Sequence, residues 1–200
     1  MGSPASSKYR EGVRTAREIR AVLVDVRLRP MTRDKAQTFA HASLAAHVAA
    51  WDAYLNQLAR DFYAATARPG SPAYMAMHMI AKAQHQEVER RFNTPNYENS
   101  REFLLRVTGL DPISCWVWPR RHMGAQQVKE RLNQILKVRH GFAHGVGIPA
   151  YPWNRTPTGR LKLNTTVLRE VDLFFDNLVT RTDGALLRHL HAVYGLSVPW

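Results

Sequence analysis

Leu44, Val48, Trp51, Leu55, Leu58 and Phe62 recur at steps of four, three, four, three and four. Such a set collects on one face of an α-helix, which turns once per 3.6 residues. The surrounding stretch TRDKAQTFAHASLAAHVAAWDAYLNQLARDFYAATA (32–67) predicts one long helix. Thr32 is placed to cap it and RPGSP (68–72) to stop it, while alanine-rich flanks allow close helix contact. A second helix is expected over about 72–92, before NTPN (93–96) turns the chain. NSREFLLRVTG (99–109) reads as a short helix capped by Asn99 or Ser100 and closed by Gly109. DPISCWVWP (111–119) reads as an aromatic loop or short extended piece. Val128, Leu132 and Ile135 mark the inward stripe of a helix starting near Gly124. Val167, Val171, Phe174 and Leu178 mark another over about 165–192. No strand-like alternation exceeds a few residues. The fold class is therefore all-α, a bundle of four to six helices. Residues 1–31 form a basic N-terminal extension with room for one helix before Pro30, and residues 32–200 form the helical domain.

Charge adds a partner class. Lys and Arg number 28 against 16 Asp and Glu, a formal net charge of +12. An excess of that size favours an anionic partner, nucleic acid being the commonest, although surplus arginine also serves solubility. The single cysteine, Cys115, excludes an intramolecular disulfide and a cysteine-based zinc site, and fits a reducing compartment. The N-terminus has no apolar core of a secretory signal, and no apolar run approaches the roughly 20 residues that span a bilayer. A cytoplasmic protein without a membrane partner is the expectation.

The densest chemistry lies in LKVRHGFAHG (136–145), with Arg139, His140 and His144 inside six residues. The apolar rhythm of Val128, Leu132 and Ile135 lands next on Arg139. A buried guanidinium without a partner costs several kcal/mol. Either the helix ends before it, or Arg139 faces a carboxylate, a cleft or another subunit. Asp52, at the edge of the long helix's buried stripe, is a candidate partner. His140 and His144 are about 40° apart around a helix, whereas Arg139 and His144 are about 140° apart. The latter two converge only if the helix breaks near Gly141 or a second copy supplies the other half. Arginine with histidine suits RNA cleavage: imidazole moves protons near neutral pH, and guanidinium offsets charge on phosphoryl oxygens. Two plainer readings stay open. The histidine pair is a zinc half-site, with His189 or His191 as a further ligand, although HGFAH lacks the glutamate of the hydrolytic zinc motif. Or the cluster is a basic helix C-terminus, favourable against the helix dipole. Elsewhere Trp116, Trp118 and Trp153 suit packing better than base stacking. His41 and His47 read as surface or helix-packing residues, and Cys115 as a small apolar side chain.

Arg139, the polar residue after it and His144 five positions on resemble the R-x-x-x-x-H motif of HEPN ribonucleases. AAWDAYLNQLARDF (49–62), FNTPN (92–96), TGLDPISCWVW (108–118), LNQILKVRHGFAHG (132–145) and RTDGALLRHL (181–190) resemble, in order, the RiboL-PSP-HEPN branch. The likeness covers about residues 36–196. It implies an all-α HEPN-type bundle that forms a homodimer with a composite active site. It also implies a metal-independent endoribonuclease acting on RNA without a cofactor, in toxin–antitoxin, phage-defence or stress settings. A neutralising antitoxin protein is a further implied partner. By position Arg139 and His144 are the catalytic pair, His140 the supporting polar residue and Asp52 the supporting acid. Asp52 is one methylene shorter than the family's usual glutamate in WEAY. Val146 stands where some HEPN toxins carry a modifiable tyrosine, so regulation of that kind is not implied. The alternative is a non-catalytic HEPN module that binds RNA, nucleotide or a protein.

Overall fold

The computed structural model describes residues 2–67, 72–91, 94–159, 161–197 and 200. Six α-helices and no strand occur among them: α1 (Pro4–Val22), α2 (Arg33–Thr66), α3 (Pro72–Arg91), α4 (Tyr97–Thr108), α5 (Ala125–Ala143) and α6 (Thr165–Tyr194). Short 3₁₀ turns stand at Val26–Leu28, Pro112–Ser114 and Pro119–Arg121. The all-α class holds. None of the described helices is long and apolar enough to cross a membrane.

The helix starts follow capping chemistry. Ser3 accepts from the Ser6 amide at 3.0 Å with Pro4 directly after it, and Thr32 accepts from the Lys35 amide at 3.3 Å. Helix α4 starts earlier than expected. Asn96, not Asn99 or Ser100, is its cap, accepting from the Asn99 amide at 2.8 Å. Ser100 is instead buried inside the helix. Gly109 ends α4 and Gly195 ends α6, both with positive φ. The expected stop at 68–71 and the first residue of the 93–96 turn lie outside the described residues.

The long helix α2 is the spine. At 34 residues it runs about 50 Å, and all six residues of its apolar stripe are buried. Its alanine-rich face receives α1. A Cβ added to Gly12 would meet Ala50 Cβ at 3.1 Å, and Ser43 Oγ donates to the Ala16 carbonyl at 2.8 Å. Helix α1 is not set apart from the rest: Ala5, Tyr9, Val13 and Ala16 belong to the same core as α2, α4, α5 and α6. Two carboxylates on α6 hold it there. Asp183 accepts from the Ser3 amide (2.8 Å), the Ser3 hydroxyl (2.6 Å) and the Tyr54 hydroxyl (3.0 Å). Asp172 takes two bonds from Arg17 at 2.9 Å and one from Arg20 at 3.1 Å. Burial alone would raise the Asp172 carboxyl, but Arg17 and the neighbouring positive charges hold it below the ordinary carboxylate range.

Candidate active site at the end of helix α5

Val128, Leu132 and Ile135 are fully buried, as their spacing requires. The stripe then steps by three to Val138, also fully buried, and onward to Gly141. Arg139 therefore does not take the apolar position. It is exposed at the edge of the stripe. Nor does the helix break at Gly141: α5 continues to Ala143, and His144 closes it with its amide donating to the His140 carbonyl at 3.1 Å.

The glycines of the cluster serve the chain reversal. Gly145 takes φ +64°, a left-handed turn that a side chain would strain. The chain then folds back over the helix, and Gly141 makes room for it. A Cβ there would stand 3.2 Å from the Gly147 carbonyl oxygen and 3.3 Å from Ile148 Cα. The returning loop is tied down by Asn154, which is fully buried, accepts from the Tyr151 amide at 2.5 Å and donates to the Pro149 carbonyl at 3.2 Å. Trp153 donates to Gln134 Oε1 at 3.0 Å, with the Arg131 guanidinium 5.4 Å from its ring centre. Trp116 is fully buried and donates to Thr182 Oγ1 at 2.9 Å, and Trp118 packs edge-on against Phe174. The three tryptophans thus do the packing expected of them.

His140 and His144 lie one turn apart, both exposed, with ring centres 4.1 Å apart and planes tilted by 41°. Asp52 comes from α2 and is half-buried. Burial raises its carboxyl above the usual range, and the positive charge of Arg139 partly opposes that rise. The two are neighbours in the electrostatic sense, but no ion pair joins them among the described residues, and Asp52 Oδ1 accepts no hydrogen bond there.

His41 is the residue that sequence reasoning undervalued. It is buried on α2, and its ring lies parallel to that of Phe142, with centres 4.2 Å apart and planes 6° apart. Burial pushes its imidazole below the ordinary value. Phe142 sits between Arg139 and His144 in sequence and is 39% exposed. The available signal was its eleven-residue spacing from Asp52, which brings both to one side of α2 within about 20°. Packing against that side was legible; the particular ring it meets was not.

No group of three or more histidine, cysteine or carboxylate residues is placed to hold a metal ion among the described residues. His189, considered as a third ligand, instead has Nε2 at 2.9 Å from the Thr108 carbonyl. What the cluster offers is an exposed guanidinium, two touching imidazoles on the same helix end and an uncommitted carboxylate behind them. That set can bind an anion and offers groups able to take up and release protons. It also occupies the place a simple basic helix end would occupy. No family model, no curated protein and no solved structure matches the chain.

Proposed function

We propose that this protein is a metal-independent endoribonuclease of HEPN type, acting as a homodimer in the cytoplasm. The observation that carries the reading is the joint exposure of Arg139, His140 and His144 around the C-terminal end of α5, in a chain of net charge +12. Two imidazoles and a guanidinium at one solvent-facing helix end are the groups that phosphodiester transfer needs. With α5 unbroken through Gly141, Arg139 and His144 diverge by about 140° around the helix. A second copy facing this helix end supplies the complementary group, so the dimer is part of the reading.

The RNA 2′-hydroxyl attacks the adjacent phosphorus, its proton passing to His144 acting as base. The bond from phosphorus to the 5′-oxygen breaks, and the same residue of the second copy delivers a proton to that leaving oxygen. Arg139 offsets negative charge on the phosphoryl oxygens, and His140 holds the phosphate. The products are a 2′,3′-cyclic phosphate and a 5′-hydroxyl. A toxin, phage-defence or stress-response role, with a neutralising protein partner, fits that chemistry.

The test incubates purified protein, His144→Ala and Arg139→Ala with total and transfer RNA in chelator, then maps the ends. Cleavage is expected from the parent alone, with an all-deoxy substrate left intact and both variants folded. Cleavage that persists in both variants, or that stops with chelator, refutes the reading. A non-catalytic RNA-binding module is the second reading, favoured by the missing ion pair between Asp52 and Arg139. Toxicity on expression that His144→Ala relieves separates the two.

A further inference from the structure

Many arginines of the surface lie close to a carboxylate: Arg14 to Glu18, Arg17 to Asp172, Arg27 to Asp25, Arg101 to Asp111, Arg106 to Glu102. One surface groove departs from this habit. It has a volume of about 820 Å³ and lies between the 119–121 turn and the middle of α6. Arg120, Arg121, Arg181 and Arg188 all line it. Arg121 pairs with Glu170 at 2.5 Å. Arg120, Arg181 and Arg188 are exposed and have no carboxylate partner among the described residues.

The groove is built rather than incidental. Arg181 and Arg188 are seven residues apart on α6 and so share one face. Gly184 lies between them in the groove lining, with Arg188 Nη1 in ordinary contact distance (3.5 Å) of where its Cβ would stand. Trp118 is buried beneath the rim, with the Arg121 guanidinium 5.8 Å from its ring centre. Among the described lining residues the one carboxylate, Asp176, is already engaged by Arg17 at 3.1 Å. Burial, with the Asp172 charge beside it, pushes the Asp176 carboxyl upward, and Arg17 opposes that rise. Guanidiniums held together without counter-charge repel one another, and the fork geometry of arginine matches phosphate oxygens.

We infer that this groove is a second RNA-backbone site, separate from the α5 cluster, in which Arg120, Arg181 and Arg188 bind consecutive phosphates of a single strand. The 119–121 turn precedes the start of α5 and the Arg139–His144 cluster lies at its far end, about 20–30 Å along the helix axis. The identity of the ligand rests on the RNA reading above; the existence of an anion groove does not.

The test measures binding of a long oligouridine as a function of salt in the His144→Ala background. One protein adds Arg120→Gln, Arg181→Gln and Arg188→Gln. A control of equal net charge adds Arg14→Gln, Arg27→Gln and Arg106→Gln. Each single-strand phosphate contact contributes about 0.7 to the slope of log affinity against log salt, so the groove variant is expected to lose about 2 from that slope. Affinity at low salt should fall on the order of tenfold or more, while the control keeps its slope. Each groove residue changed singly should remove about a third of the loss, which covers a triple variant that does not fold. Equal losses in groove and control variants, or no loss in either, overturn the proposal. Cleavage by the parent separates the two ideas. An unchanged slope in the groove variant, with RNA cut normally when the same three substitutions are made in the parent, sinks the groove alone. A groove slope that behaves as expected, with cleavage indifferent to His144→Ala, sinks the nuclease reading alone.

Discussion

His47 offers a quantitative test of the core. It sits on α2 with no exposed surface, and neither ring nitrogen has a hydrogen-bond partner among the described residues. Burial pushes its imidazole down to about 4. The Asp172 charge opposes this, and Arg20 and Arg17 reinforce it. The folded protein therefore holds a neutral ring, while the unfolded chain takes up a proton below about pH 6.5. A folded value below the unfolded one means that the unfolded state binds more protons between the two. Stability from this group is fully present above about pH 6.5 and is lost as pH falls toward 4. At about 1.4 kcal/mol per pH unit, the whole interval is worth about 3 kcal/mol. That is a large part of the roughly 5–15 kcal/mol that stabilises a domain. The assay is urea denaturation of the parent and His47→Leu between pH 7.5 and 4.5, taken as a difference so that carboxylates common to both cancel. The leucine variant should be at least as stable at neutral pH, since two partnerless buried nitrogens disappear. Its advantage should widen by about 2–3 kcal/mol toward the acid end. Parallel pH profiles for the two proteins would refute the neutral buried ring.

Gly141→Ala gains about 1 kcal/mol of helix propensity but makes the 147–148 backbone give way by a few tenths of an ångström, an overpacking cost of about 1–3 kcal/mol. A net loss in thermal stability and faster proteolysis at residues 144–150 are expected; a raised melting temperature with an unchanged loop would contradict the close approach. Asp172→Asn removes the counter-charge of Arg17 and Arg20. Because Arg17 is 42% exposed, the cost at pH 7 should be about 2 kcal/mol rather than the larger figure for a fully buried pair. The Asp172 carboxyl is held low in the folded state, so its contribution is present above the unfolded carboxylate value and is lost as pH falls through the folded one. Denaturation at pH 7 and pH 3 should show the variant's deficit shrinking in acid. Phe142→Ala uncovers His41, and a proton-resonance titration should find the His41 imidazole rising toward its ordinary value, with about 1 kcal/mol of stability lost. A titration that does not move would mean that Phe142 is not what buries it.

Much of this protein is legible in its amino-acid order because the signals are local. The four–three rhythm of α2, the Thr32 cap and the stripe from Val128 to Ile135 each follow from helix geometry over a few turns, and each stands where its spacing puts it. The all-α class follows from the same signals, as does the prominence of Arg139, His140 and His144. The errors arise where a local rule met a competitor. The rhythm extended by four lands on Arg139; with Val138 one position earlier, the helix buries the valine and leaves the guanidinium in water. Ser100 fits a cap in isolation, but Asn96 reaches the free amides first.

Tertiary structure alone decided which elements meet. Nothing local says that the alanine face of α2 is covered by α1, that His41 lies flat against Phe142, or that Gly141 is small so that Gly147 can cross it. These are encounters between segments far apart in sequence, set by the shape of the packed core rather than by any period along the chain. The arginine groove has the same origin, because Arg120 and Arg188 become neighbours only when the 119–121 turn docks on α6. Sequence order thus determined the helices and the chemical inventory, while the fold determined which charges found partners and which were left facing water.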